Sequence, residues 1–246
     1  MFRRLLVVAS LLPQAFAGAW AADAGHGGEE LGEVSFPISC RPELQPAFER
    51  AVALQHSFEF ATAREAFERV AADDPACAMA QWGIAMSLYH PLWAAPTADE
   101  LKQGARASAH ATGLAAAAGV SERERGFIAA MAAFWSDAAT ADHRTRATRY
   151  RDAMGELSRR YPDDAEAAIF YALAILGTAP PGDPAHVLQK QAAEILAGWL
   201  RKLPNHPGIT HYSIHAFDSP ELAYLGLDAA RRYARIAPAS GHALHM

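Results

Sequence analysis

The stretch Pro204–Asp218, PNHPGITHYSIHAFD, gathers His206, His211 and His215 and closes on Asp218. Imidazoles and carboxylates ligate zinc, copper, nickel or iron, and histidine also moves protons near neutral pH. On a helix, His211, His215 and Asp218 stand four and three residues apart and share one face. Such a stripe is either a ligand set or a polar wall, and an i,i+4 histidine pair alone does not decide between them. HYSIH lacks the glutamate that HExxH places beside its first histidine, so the general base of a zinc protease is missing. The chain has no glycine-rich phosphate loop and no G-x-S-x-G elbow, and nothing local activates Cys40 or Cys77 as a thiolate. Tyr212 turns away from the stripe by helical phase and belongs to a core. No catalytic residue is assigned.

The elements that must carry these histidines are helices. The chain has 246 residues, 51% of them hydrophobic, with abundant alanine and almost no Val/Ile/Thr-rich alternation. That pattern favours an all-α protein. Internal repetition then sets the architecture. Ala63-x3-Phe67-x2-Val70-x4-Pro75, Tyr150-x3-Met154-x2-Leu157-x4-Pro162, Ala192-x3-Leu196-x2-Trp199-x4-Pro204 and Gly226-x3-Ala230-x2-Tyr233-x4-Pro238 share one set of offsets. Each is an amphipathic helix ended by proline, and a further helix starts after each proline. The spacing predicts antiparallel pairs at 43–57 with 59–72, 75–90 with 97–118, 121–137 with 142–160, 163–177 with 184–202, and 205–217 with 219–236. Trp82, Trp93, Trp135 and Trp199 are expected to pack between helices, and Arg123–Arg151 to form a solvated basic face.

This pattern resembles the tetratricopeptide repeat, whose second helix carries A-x3-F-x2-A-x4-P. Ala85 and Ala172 keep the small residue of its first helix, whereas Ile214 departs from it and the tryptophan is displaced to Trp82. The resemblance implies a right-handed α-solenoid of stacked antiparallel helix pairs, a superhelix with a concave groove. Measured from the helix-ending proline, His211 and His245 both stand at +7, and they are 34 residues apart, as are His56 and His90. His215 is at +11, Asp218 at +14 and His242 at +4; His90 lies at +15 after Pro75. In the repeat family these offsets line the groove. The expected groove set is therefore His56, Trp82, Met86, His90, His206, His211, His215, Asp218, His242 and His245. Of two readings of that wall, the sequence favours the first, and the second is the alternative. One is a scaffold whose groove binds a peptide or protein partner. The other is a metal-binding protein or metal-dependent enzyme, with zinc or copper held by His211, His215, Asp218 and His245, joined or replaced by His242.

LQHSFEFATAREAFERV, ACAMAQWGIAMSLYHPLW, HPGITHYSIHAFDSPELA and ARIAPASGHALHM also resemble one subset of exported bacterial tetratricopeptide proteins. In that subset the last phrase continues as HMPSHI, which implies that the repeat region, residues 36–246, is cut short. Residues 1–21 have the parts of a secretory signal: Arg3 and Arg4, an apolar run at 5–12, and small residues before a cleavage point. The run is shorter than the roughly 20 residues that span a bilayer, so no stable membrane insertion is expected after cleavage. Residues 22–35 read as a flexible spacer, with His26 solvated. Cleavage removes two arginines and no acid, leaving 20 basic against 27 acidic side chains. Nucleic acid is a poor partner for such a charge. A periplasmic or secreted location permits a disulfide, and Cys40 and Cys77 are either bridged or two buried thiols.

Overall fold

The computed structural model describes residues 30–117 and 119–246. The expected signal at 1–21, the spacer as far as residue 29 and His26 lie outside the described residues. Within them the chain is all-helical: α1 Gln45–His56, α2 Phe60–Asp73, α3 Ala78–Ser87, α4 Ala98–Ala115, α5 Glu122–Trp135, α6 His143–Arg160, α7 Ala165–Leu176, α8 Val187–Leu200, α9 Pro207–Ala216, α10 Ala223–Ile236 and α11 Gly241–His245. None is long and apolar enough to cross a membrane. The sequence writes the boundaries in cap chemistry. Thr97 with Glu100 and Ser121 with Glu124 make capping boxes at the starts of α4 and α5, and Asp142 and Asp164 cap α6 and α7.

Each helix packs on the next, in a solenoid-like array of pairs. The odd-numbered helices form an inner row in which α1 packs on α3, α3 on α5 and α7 on α9. The row curls far enough for α1 to pack on α9 as well. Gly208 makes that approach close, because a Cβ there would lie 2.6 Å from Nδ1 of His56.

Closure buries half of the expected groove set. His56, Trp82, Met86, His206 and His211 are buried, together with Ile169 and Leu173. The inner positions carry large side chains that pack together where the row closes. Trp93 departs the other way: expected between helices, it is 66% exposed. The basic stretch is not uniformly solvated either. Arg123 binds Asp164 in a two-bond pair, and Arg146 is buried with its guanidinium 4.7 Å from the Phe134 ring.

Residues 30–35, the end of the expected spacer, are packed. Glu33 N–H donates to the Asn205 carbonyl at 3.0 Å, the Asn205 amide returns a bond to Glu33 at 3.1 Å, and Ala239 N–H donates to the Glu30 carbonyl at 3.2 Å. The strand-like strap then inserts Phe36 into the core, 4.8 Å from Phe127 and 5.4 Å from both Phe48 and Trp82 between ring centroids. Beyond it, the buried Glu124 carboxylate accepts from Ser39 N–H at 2.6 Å and from the Ser39 hydroxyl.

Cys40 and Cys77 are bridged, with Cα atoms 4.9 Å apart. The bridge ties the strap to the start of α3. It closes a loop of 37 residues, for which chain entropy alone gives about 4 kcal/mol, with strained or residually structured references giving less. Reduction is expected to cost about 2–4 kcal/mol, read as a fall in urea midpoint between oxidised and reduced protein at equal pH. An unchanged midpoint would show that the strap is held without the bridge.

Candidate metal centre

The short helix α9 is set by its own first residues. His206 is its cap, with Nδ1 accepting from Ile209 N–H at 3.4 Å, and Pro207 opens the first turn. His211 and His215, one turn apart, bring their Nε2 atoms to 3.0 Å. The third imidazole comes from α11. Ser240 caps that helix and donates its hydroxyl to Glu59 at 3.0 Å, and His242 N–H reaches the same carboxylate oxygen at 3.4 Å. Held this way, His242 places Nε2 at 2.9 Å from Nε2 of His211.

Tautomers follow from the partners. Nδ1 of His211 lies 2.6 Å from the His56 carbonyl, which only accepts, so Nδ1 carries the hydrogen and Nε2 carries a lone pair. Metal-binding histidines are oriented by this kind of outer bond. Two further Nε2 atoms crowd that single lone pair. One N–H can satisfy it, and the remaining imidazole then has no partner in the cluster. A cation at the centre would engage all three lone pairs. The rings are walled by Phe58, whose centroid is 4.3 Å from His211 and 5.4 Å from His215, while Tyr233 stacks on His211 at 4.9 Å. Phe58 takes the left-handed conformation at φ 56°, a strain that bends the chain after α1 so that the ring can lie there.

Burial is the main reason these imidazoles resist protonation. It pushes His211 well below the ordinary histidine value, with His215 adding to the effect. His215 falls to about 4, through burial and then His242, against the opposing pull of Asp218. His242 is lowered by burial although Glu59 works the other way. All three are neutral near pH 7, the form that binds metals. The metal-free fold therefore holds fewer protons than the unfolded chain between pH 6.5 and about 4. The stability these three imidazoles contribute is complete above pH 6.5 and falls as pH drops through that window. Urea midpoints of metal-free protein at pH 7.5 and 5 test this, and a higher midpoint at pH 5 would contradict it.

A second group, His56, Glu166 and His206, is wholly buried and has ligand atoms just as close. Its bonds are already complete. Nδ1 of His206 accepts a backbone N–H, so Nε2–H donates to Glu166 at 2.9 Å. Nε2 of His56 donates to the other carboxylate oxygen at 2.9 Å, and the Tyr212 hydroxyl donates to Nδ1 at 2.8 Å. Burial raises the Glu166 carboxyl, but His56 and His206 outweigh it and the net direction is down. Burial lowers His56 despite Glu166, which keeps that imidazole neutral. This is a satisfied anchor for α9. It supports the three-histidine cluster through the His56 carbonyl.

Of the expected ligands, His211 and His215 are in the cluster and Asp218 and His245 are not. Helix α9 ends at Ala216, so Asp218 leaves the stripe that an unbroken helix would give it, although its charge still acts on His215. The 34-residue period pairs His245 with His211. However, α11 starts only at Gly241 and presents its first turn, through His242, to His211. His90 sits apart, 3.7 Å from Glu100. The residue pattern does not single out Glu59, Phe58, Glu166, Tyr212 or Tyr233 as site residues. Glu166 was discoverable, standing at +4 after Pro162 as His242 does after Pro238. Nothing local marks Phe58. Among known proteins, the chain matches no family model, no curated protein and no solved structure.

Proposed function

We propose that this chain is an exported repeat protein of the tetratricopeptide kind that binds a divalent transition metal, zinc or copper, through Nε2 of His211, His215 and His242. The observation that carries the reading is the convergence of three neutral imidazoles on one point, with the tautomer of His211 set by the His56 carbonyl. The spacing suits an ion. Ligand nitrogens about 2.0–2.1 Å from a tetrahedral zinc stand about 3.3 Å apart, and the Nε2 separations are 2.9 and 3.0 Å. Small outward rotations of the rings open the required gap. Three histidines leave at least one coordination position for water or another ligand, as in metal sites that exchange ligands. The Cys40–Cys77 bridge supports an oxidising, periplasmic or secreted setting.

Protein grown with ample metal and purified without chelator is expected to retain near-stoichiometric zinc or copper by elemental analysis. His211→Ala, His215→Ala and His242→Ala each lower retention at least tenfold, while His245→Ala and Asp218→Asn retain it. Metal-free parent protein, or equal loss from His245→Ala, would sink the assignment.

A further inference from the structure

The three-histidine cluster is closed on one side and thinly covered on the other. Phe58 reaches all three imidazoles, its centroid 4.3 Å from His211, 5.4 Å from His215 and 5.7 Å from His242. Tyr233 stacks on His211, which is fully buried. His215 and His242 keep partial exposure, so a route between solvent and the ring nitrogens passes them.

Each of these two histidines has a neighbour from the short loop between α3 and α4. Trp93 lies 5.7 Å from His242, edge to face, and 6.4 Å from Phe58. Leu92, one residue earlier, shares with His215 the wall of a cavity of about 320 Å³. The loop reaches this position under strain. His90 and Leu92 both take left-handed backbone, at φ 52° and 69°, which bulky side chains rarely adopt. Such strain persists only where the surroundings hold it. Here Pro91 and Pro96 are buried, the His90 ring packs 4.9 Å from Phe60, and Trp93 N–H donates to the His90 carbonyl at 3.1 Å. Between these anchors Trp93, Ala94 and Ala95 stand in solvent. A tryptophan 66% exposed gains little from burial, so its packing does not account for the strain. The strained turn instead sets an indole against one open histidine and a leucine beside the other.

We propose that the His90–Trp93 loop is a gate over the metal site, with Trp93 and Leu92 controlling access to Nε2 of His242 and His215. The arrangement described is the closed one. Relaxing the left-handed residues moves the indole off His242, and an ion or its ligand enters or leaves. The shielding of the two histidines stands on the loop alone; the control of metal exchange rests on the metal reading above.

The test uses the full chain. In metal-free protein at neutral pH, diethylpyrocarbonate modifies accessible imidazoles, and mass spectrometry reads each site. Trp93→Ala should raise the rates at His242 and His215 at least threefold and leave the exposed His110 unchanged. Zinc capture by metal-free protein and zinc release to a chromophoric chelator are then timed by stopped flow. Trp93→Ala should speed both at least tenfold and change the equilibrium affinity less than threefold, because a gate lowers the barrier in both directions. Leu92→Gly, which removes the side chain and tolerates positive φ, should do the same. Exchange rates within twofold of the parent in both variants, or faster release with unchanged capture, would overturn the gate and leave the metal reading standing. Unchanged modification of His242 and His215 in Trp93→Ala would overturn the shield. No zinc held by the parent, with both histidines still unmasked by Trp93→Ala, would remove the metal reading and uphold the shield.

Discussion

Glu166→Leu is expected to lower the unfolding free energy by about 2–6 kcal/mol, because two buried N–H donors each lose their acceptor at about 1–3 kcal/mol. The carboxylate accepts Nε2–H from both His56 and His206, and all three residues are buried. Leucine would leave both donors facing hydrocarbon. Glu166→Gln separates charge from hydrogen bonding. Its amide oxygen can still accept from His206, whose tautomer is tied to Ile209 N–H. His56 can reverse its tautomer, accepting from the amide at Nε2 and donating from Nδ1 to the Tyr212 oxygen. The glutamine variant should therefore lose only about 1–2 kcal/mol, the difference between hydrogen bonds to a charged and to a neutral acceptor. Its stability should also respond less to acid. The folded carboxyl of Glu166 is lowered from 4.5, so in the parent its contribution is present above pH 4.5 and is lost as pH falls further. Denaturant titrations at pH 7 and pH 3.5 measure both effects. Equal losses for leucine and glutamine would show that the network contributes shape and not bonding.

Phe36→Ala should cost a similar amount, about 3–5 kcal/mol, as for other fully buried phenylalanines. Phe36 has no exposed surface and meets rings from α1, α3 and α5. Its removal would leave a hole where those inner helices converge. The change lies just past the expected spacer, so the contrast with Val34→Ala, inside that spacer and only half-buried, is the useful control. A small loss is expected for Val34→Ala, below about 1.5 kcal/mol for a partly buried side chain of this size. Calorimetric unfolding of both variants decides the matter. Comparable losses would mean that the strap contributes along its length and not through one anchoring ring.

The pairing of helices was legible because proline offsets, capping residues and amphipathic spacing are local signals. They placed the expected pairs within a few residues of α1–α10. Curvature was not legible. It depends on how Gly208 lets α9 approach His56 and on how Phe36, Trp82 and Phe170 fill the inside, all contacts between distant residues. The site shows the same division. His211 and His215 follow from a one-turn interval, whereas choosing His242 over His245 depends on where α11 begins and on Glu59 gripping its first turn. The pairing of Cys40 with Cys77 likewise needed the strap's path, which no periodicity encodes.

The contact of α1 with α9 also bears on how the chain folds. In an open array each pair leans only on its neighbours, so folding can begin anywhere and frayed ends open without disturbing the middle. Here the His56–Tyr212 bond joins residues 156 apart, and Glu59 reaches Ser240 across 181. Such bonds reward the chain only after a long loop has closed, which slows folding. Once formed, they remove the free ends from which an array unravels. The protein should then lose its structure as one cooperative unit, and the three-histidine cluster, which needs α9 and α11 on the far side of that long closure, would report it.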